Sequence, residues 1–143
     1  MTFAVRPEGL TVAVLIGLNN QDAAALAAAG SPIPPPVWGT GLLDTGCDIT
    51  SVAPTLLRRL PLARTGGSSS QTVGGQVSVE LFEVSLSIPP PGGAAGPLLV
   101  RPHLVVMELP HPIAGIDVLI GLDVLLTCRL LLDGPGRQFT LDF

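Results

Sequence analysis

An apolar run that stops at a carboxylate and a glycine is the feature that most constrains this chain: Leu42-Leu43-Asp44-Thr45-Gly46, followed by Cys47-Asp48-Ile49-Thr50-Ser51-Val52. β-favouring residues lie on both sides, so the chain turns there between two strands. A carboxylate between apolar strands is costly to bury unless its oxygens are satisfied. Gly46 takes backbone angles closed to other residues, so a tight turn can aim its N–H groups at Asp44. Thr45 adds a short hydroxyl that can lock the turn. A carboxylate held in this way is suited to polarising water.

The 143 residues fit one domain with a core of its own. Hydrophobic residues make up 47% and charged residues only 13%, about half the usual share, which points to surface hidden against another subunit. A net charge of −4 leaves no basic patch for nucleic acid. All seven cations are arginine. Cys47 and Cys128 read as two buried free thiols, with a single disulfide between them as the alternative, and with His103 and His111 they lack metal-ligand spacing, so neither a metal nor another cofactor is expected. Leu119 to Leu132 is apolar but broken by Asp123 and Arg129, so no membrane partner is expected. Leu10 to Leu18 imitates a signal peptide, but Glu8 and the polar Asn19-Asn20-Gln21-Asp22 argue against cleavage, so a cytoplasmic location is the expectation and a secreted or membrane-associated form the alternative.

Along the chain, residues 1–9 read as a loose lead-in and Leu10 to Leu18 as a buried strand. Asn20 or Asp22 caps a short Ala-rich helix ending at Gly30, and a proline-rich connector runs to Pro36. Val37 to Leu43 delivers Asp44 and Cys47 to Ala53 is the strand that leaves it, before a helical turn from Pro54. Arg64 to Ser70, rich in Gly and Ser, reads as mobile; Gln71 to Val79 is a hairpin with Gly74-Gly75 at its tip. Alternation then switches faces near Leu81-Phe82, a bulge or bend signal. Pro89 to Pro97 is a loop, and strands follow at Leu98 to Met107 and Ile116 to Ile120. Asp123 caps a short helix, and two last strands flank the Asp133-Gly134-Pro135-Gly136 turn. The domain is therefore mainly β with one or two short helices.

The Asp44-Thr45-Gly46 string resembles the signature of aspartic proteases, and its single occurrence resembles the retroviral type (retropepsins), which carry one copy and dimerise. Three more landmarks fall in that family's order. Val73-Gly74-Gly75 lies where the family has its flap. Val118-Leu119-Ile120-Gly121-Leu122-Asp123-Val124-Leu125 resembles the second signature, whose glycine passes tightly behind the catalytic loop. Phe139 to Phe143 resembles the C-terminal strand that viral members interleave at the dimer interface. The likeness runs from Val37 to the end and is most like cellular and bacterial members; residues 1–36 lie outside it. Viral enzymes carry Arg at the position of Leu122, paired with the acid matching Asp48, so here Asp48 needs Arg58, Arg59, Arg129 or substrate backbone instead. Cys47 stands where Ala or Ser is usual.

The resemblance implies a retropepsin-like closed β-barrel, one acid-protease half, active as a homodimer. It implies an aspartic endopeptidase in which Asp44 from each of two copies activates water, with a peptide or protein as substrate. Thr45 would bond across the twofold axis. Val73, Gly74 and Gly75 would close over the substrate, Asp48 would hold its backbone, and Ile49 and Leu119 would line side-chain pockets. The alternative is a catalytically silent domain of the same fold, used for dimerisation or peptide binding. Glu80, Glu83, His103 and His111 are given no role.

Overall fold

Three packed strands give the barrel its shape. In the computed structural model, which describes residues 1–72 and 74–143 (with only the backbone described at Thr72), β2 (Thr11–Leu18) pairs antiparallel with β3 (Val37–Leu43) and also with β6 (Gly75–Ile88). The second pairing closes a sheet that also contains β8 (Val118–Ile120), β4 (Ser51–Val52) and β7 (Leu99–Glu108), in the order β2-β3-β8-β4-β7-β6. The result is a closed six-stranded barrel, in a chain that is 49% strand and 14% helix. Closure pairs the barrel part of each strand on both sides, which removes the open edges of a flat sheet there.

The inward residues explain why it forms. Val14 and Ile16 of β2, Leu86 and Ile88 of β6, Val106 of β7 and Val118 and Ile120 of β8 have no exposed surface. Burying each such side chain contributes about 1.5–3 kcal/mol against chain entropy. Gly41 lets β3 pass close to two of them, since a Cβ there would lie 2.7 Å from Val14 Cγ1 and 2.8 Å from Ile120 Cδ1. On β6 the buried residues change phase, from Val79 to Val84, Leu86 and Ile88. The expected irregularity sits there: pairing with β5 (Arg64–Thr72) slips between Arg64 and Gly66, opposite Phe82 and Leu81.

A second, three-stranded sheet lies outside the barrel, in the order β1 (Thr2–Ala4), β10 (Gln138–Asp142), β9 (Arg129–Asp133). Among the described residues three short α-helices, α1 (Asn20–Ala28), α2 (Pro54–Leu57) and α3 (Leu122–Leu125), and a 3-10 turn at Pro91–Gly93 complete the fold. Among the described residues no helix is long and apolar enough to cross a membrane.

Several local expectations need correction. Residues 1–9 are not a loose lead-in. Phe3 of β1 is buried and stacks on Phe139 of β10 with ring centroids 5.1 Å apart, a contact invisible to local pattern. Arg64 to Ser70 is strand rather than loop, because the long alternating β6 offers a continuous ladder to a segment of low strand preference. An ion pair between Arg64 and Glu80 and a bond from Gln76 Nε2 to Ser69 Oγ at 2.8 Å cross that ladder. The segment after Asp44 is strand only at Ser51–Val52; residues 47–50 form a turn whose backbone bonds go elsewhere. Helix α1 is capped one residue early, by the buried Asn19, whose Oδ1 accepts from Gln21 N at 2.9 Å and Asp22 N at 3.0 Å. Asp123 lies inside the first turn of α3 and Gly121 holds the cap position. The C-terminal strand is not open for interleaving, because β10 is paired on both edges within its own chain.

Candidate functional site

Strand order decides where Asp44 goes. β8 lies between β3 and β4, parallel to the first and antiparallel to the second. The chain therefore leaves β3, crosses the end of β8 and returns on its far side. Asp44 is the first residue of that crossing, and its N–H continues the ladder to Ile120 O at 3.0 Å. Cys47 N–H closes the turn on Asp44 O at 3.2 Å, and Gly46 N–H donates to Asp44 Oδ1 at 2.9 Å. The second carboxylate oxygen has no hydrogen-bond partner among the described residues. Asp44 is half-buried, Thr45, Gly46 and Asp48 are exposed, and none of the four forms an ion pair among the described residues.

The crossing is held from behind. Gly121 runs so close to it that an added Cβ would meet Cys47 O at 2.8 Å, Ile49 C at 2.9 Å and Thr50 N at 3.0 Å. All three are backbone atoms, which have little freedom to give way. Leu122 N–H donates to Cys47 O at 2.8 Å and Asp123 N–H to Asp48 O at 3.1 Å. The Asp123 carboxylate returns two bonds, accepting the Thr50 N–H at 2.9 Å on Oδ2 and the Thr50 hydroxyl at 2.7 Å on Oδ1. Thr50, with no exposed surface, in turn accepts the Gly121 N–H at 3.1 Å. Asp123 and Thr50 are the site residues that sequence reasoning missed. The signal was an acid two residues after the glycine, but helix capping explained it equally well.

Cys47 packs beside the turn, its thiol donating to Ile49 O at 2.8 Å. Burial pushes that thiol up, and the Asp44 and Asp123 carboxylates push it the same way. Cys47 and Cys128 are both free and half-buried. No group of three metal-type side chains gathers among the described residues.

The other expected site residues are distributed as follows. Ile49 is 38% exposed beside the turn. Leu119 faces away from the inward Val118 and Ile120, level with Leu42 and Ser51 on its neighbours. Gly74 is exposed in the β5–β6 turn, and Gly75 has φ +112°, a conformation that suits glycine. The Val73 expectation lies outside the described residues. Residues Gly75–Glu80 of β6 pair only with β5, so the hairpin projects past the barrel. Its base reaches the crossing through a row of partners, Leu81 to Met107 to Ser51. Among the described residues none of Arg58, Arg59 and Arg129 forms an ion pair with Asp48.

Two surface grooves of the single chain do not include Asp44 in their lining. One, of about 680 Å³, lies between Phe3, Trp38 and Pro90; the other, of about 750 Å³, lies along the base of the hairpin. No protein-family model matches this chain, and no curated protein matches it.

Proposed function

We propose that this chain is a retropepsin-like aspartic endopeptidase that works as a homodimer without a cofactor. The observation that carries the reading is Asp44 itself: a half-buried carboxylate at a strand end, with one oxygen fixed by Gly46 N–H and the other left open. The closed barrel, the crossing over β8 and the close passage of Gly121 behind it support the same reading.

A single carboxylate cannot do the chemistry. Hydrolysis of a peptide bond needs one group to take a proton from water and another to give a proton to the carbonyl oxygen. Two carboxylates in contact share one proton, because both cannot ionise side by side; aspartic-protease dyads are known to behave this way. On a twofold axis, Asp44 of each copy supplies one half. The ionised carboxylate takes a water proton as the water oxygen attacks the carbonyl carbon. The protonated one gives its proton to the carbonyl oxygen, forming a tetrahedral diol. The carboxyl that took the water proton then gives it to the amide nitrogen while the other carboxylate takes a proton from a diol hydroxyl, so the C–N bond breaks, a carboxylic acid and an amine leave, and the pair again shares one proton.

In this reading Thr45, exposed at the turn, bonds across the axis. The β5–β6 hairpin with Gly74 and Gly75 closes over an extended peptide and excludes water. Asp48 and Ile49 face that peptide from below, and Leu119 supports the crossing from the neighbouring strand. The test is incubation of the full chain and of Asp44→Asn with a mixed peptide library from mildly acidic to neutral pH. Specific cuts that disappear in Asp44→Asn support the reading. Identical cuts from both proteins, or none from a dimeric wild type, contradict it, and the second outcome leaves a binding or dimerisation domain.

A further inference from the structure

Strand β9 carries three consecutive leucines between two opposite charges, Arg129-Leu130-Leu131-Leu132-Asp133, and among the described residues one of its edges has no strand against it. Leu131 and Leu132 are each 57% exposed. Between its two terminal charges the strand has no proline, lysine or register shift along its pairing with β10 to discourage another strand. We infer that this edge is where a second copy of the chain docks, strand against strand, around a twofold axis at Leu131.

The register follows from the backbone. Leu141 of β10 spends both backbone groups on Met1, donating to its carbonyl at 2.8 Å and accepting from its nitrogen at 2.6 Å, and Arg137 O accepts from Val5 N at 2.8 Å. In an antiparallel ladder the direction of these groups alternates, so Gln138, Thr140 and Asp142 are the residues that face β9. Their opposite numbers are Asp133, Leu131 and Arg129. That leaves the N–H and C=O of Leu130 and Leu132 pointing out along the free edge.

A second β9 must offer the same outward groups. An axis at Leu130, Leu131 or Leu132 does so, and axes between residues do not. Only the axis at Leu131 uses both outward residues together, setting Leu130 against Leu132 of the second copy in both directions. The same axis sets Arg129 against Asp133 of the second copy, twice. The other two axes oppose one of these charges to Leu131. Arg129 is opposite Asp142 within its own chain yet forms no ion pair among the described residues, so its charge is available. Charge and hydrogen-bond register therefore select the same pairing, and an isologous contact needs that self-complementarity.

The product is a continuous six-stranded sheet with β9 strands at its centre. Leu126, 80% exposed, and Phe143, 50% exposed, lie near the Arg129 end and add apolar area. The contact joins onto the site through α3, whose N-terminal end holds the Asp44 crossing. The inference rests on the proposed need for two copies in its function, but it is tested by assembly alone.

The experiment is sedimentation of Arg129→Asp, Asp133→Arg and the double exchange, beside the wild type, over a range of concentration. Each single variant opposes like charges at both ends of the contact and should weaken the dimer about tenfold or more, while the double exchange recovers it. In a Cys47→Ser, Cys128→Ser background, Leu131→Cys should link to itself under diamide, because residues on the axis face each other at disulfide distance, and Arg129→Cys should not. A dimer indifferent to both single exchanges, absence of the Leu131→Cys link, or a wild type monomeric at all concentrations overturns the pairing. A proteolytically active dimer with the first of these results removes the β9 contact and leaves the protease reading standing. A charge-sensitive, cross-linked dimer that cuts nothing does the reverse.

Discussion

Asp123 accepts both the backbone N–H and the hydroxyl of Thr50, at 2.9 and 2.7 Å, and so ties the first turn of α3 to the segment that carries Asp44. The two residues are 73 positions apart, and Thr50 is fully buried, so removing the carboxylate leaves its N–H and hydroxyl without that partner in a site closed to solvent.

Asp123→Ala should cost about 2–4 kcal/mol in denaturant unfolding, since it strands a buried N–H and a buried hydroxyl. Asp123→Asn, which keeps one acceptor, should cost about 1 kcal/mol, and Thr50→Ser should be milder than Thr50→Val, which also strands the Gly121 N–H. Equal stability of Asp123→Ala and wild type would show that the crossing is held by packing alone.

Gly121→Ala should be damaging in a different way. Its Cβ would meet three backbone atoms of the crossing at 2.8–3.0 Å, so the turn that carries Asp44 must move. A loss of about 1–3 kcal/mol is expected from overpacking, with any peptidase activity falling further than stability does. Gly134→Ala, where a Cβ meets nothing within 4 Å, is the control and should change little.

Cys47 should be a slow thiol. Burial first, and then the nearby Asp44 and Asp123, hold it above the ordinary thiol range, so at neutral pH less of it is thiolate than in a free cysteine. In Cys128→Ser, alkylation of Cys47 by iodoacetamide should lag behind a model thiol near pH 8 and catch up only at higher pH. Equal rates at pH 8 would contradict that environment.

How much of this was legible beforehand depended on whether the cause was local. Strand β3 leading into Asp44, the turn at Asp133 to Gly136 and the phase change on β6 are written in neighbouring residues, through alternation and glycine, whereas the expected strand from Cys47 shrinks to Ser51–Val52 because its first residues bond to the chain behind them. The tight passage of Gly121 was legible only because its neighbourhood resembles a known signature. β1 was not legible: three residues become a strand because Phe3 meets Phe139 from the far end of the chain. β5 was not legible either, since Gly and Ser have little strand preference and the ladder comes from β6. At the site, Asp44 and Gly46 declare themselves in sequence, whereas the Asp123–Thr50 tie needs the fold that brings α3 behind the turn.

The central claim, that two copies share one reacting pair of Asp44 carboxylates, is tested most directly by mixing subunits. Wild type and Asp44→Asn, exchanged to equilibrium in equal amounts above the dimer dissociation constant, should retain about one quarter of the wild-type rate on a peptide the wild type cuts, because random pairing leaves that share of dimers with both carboxylates. Retention of about one half would mean that each chain cuts alone, and would contradict the shared pair.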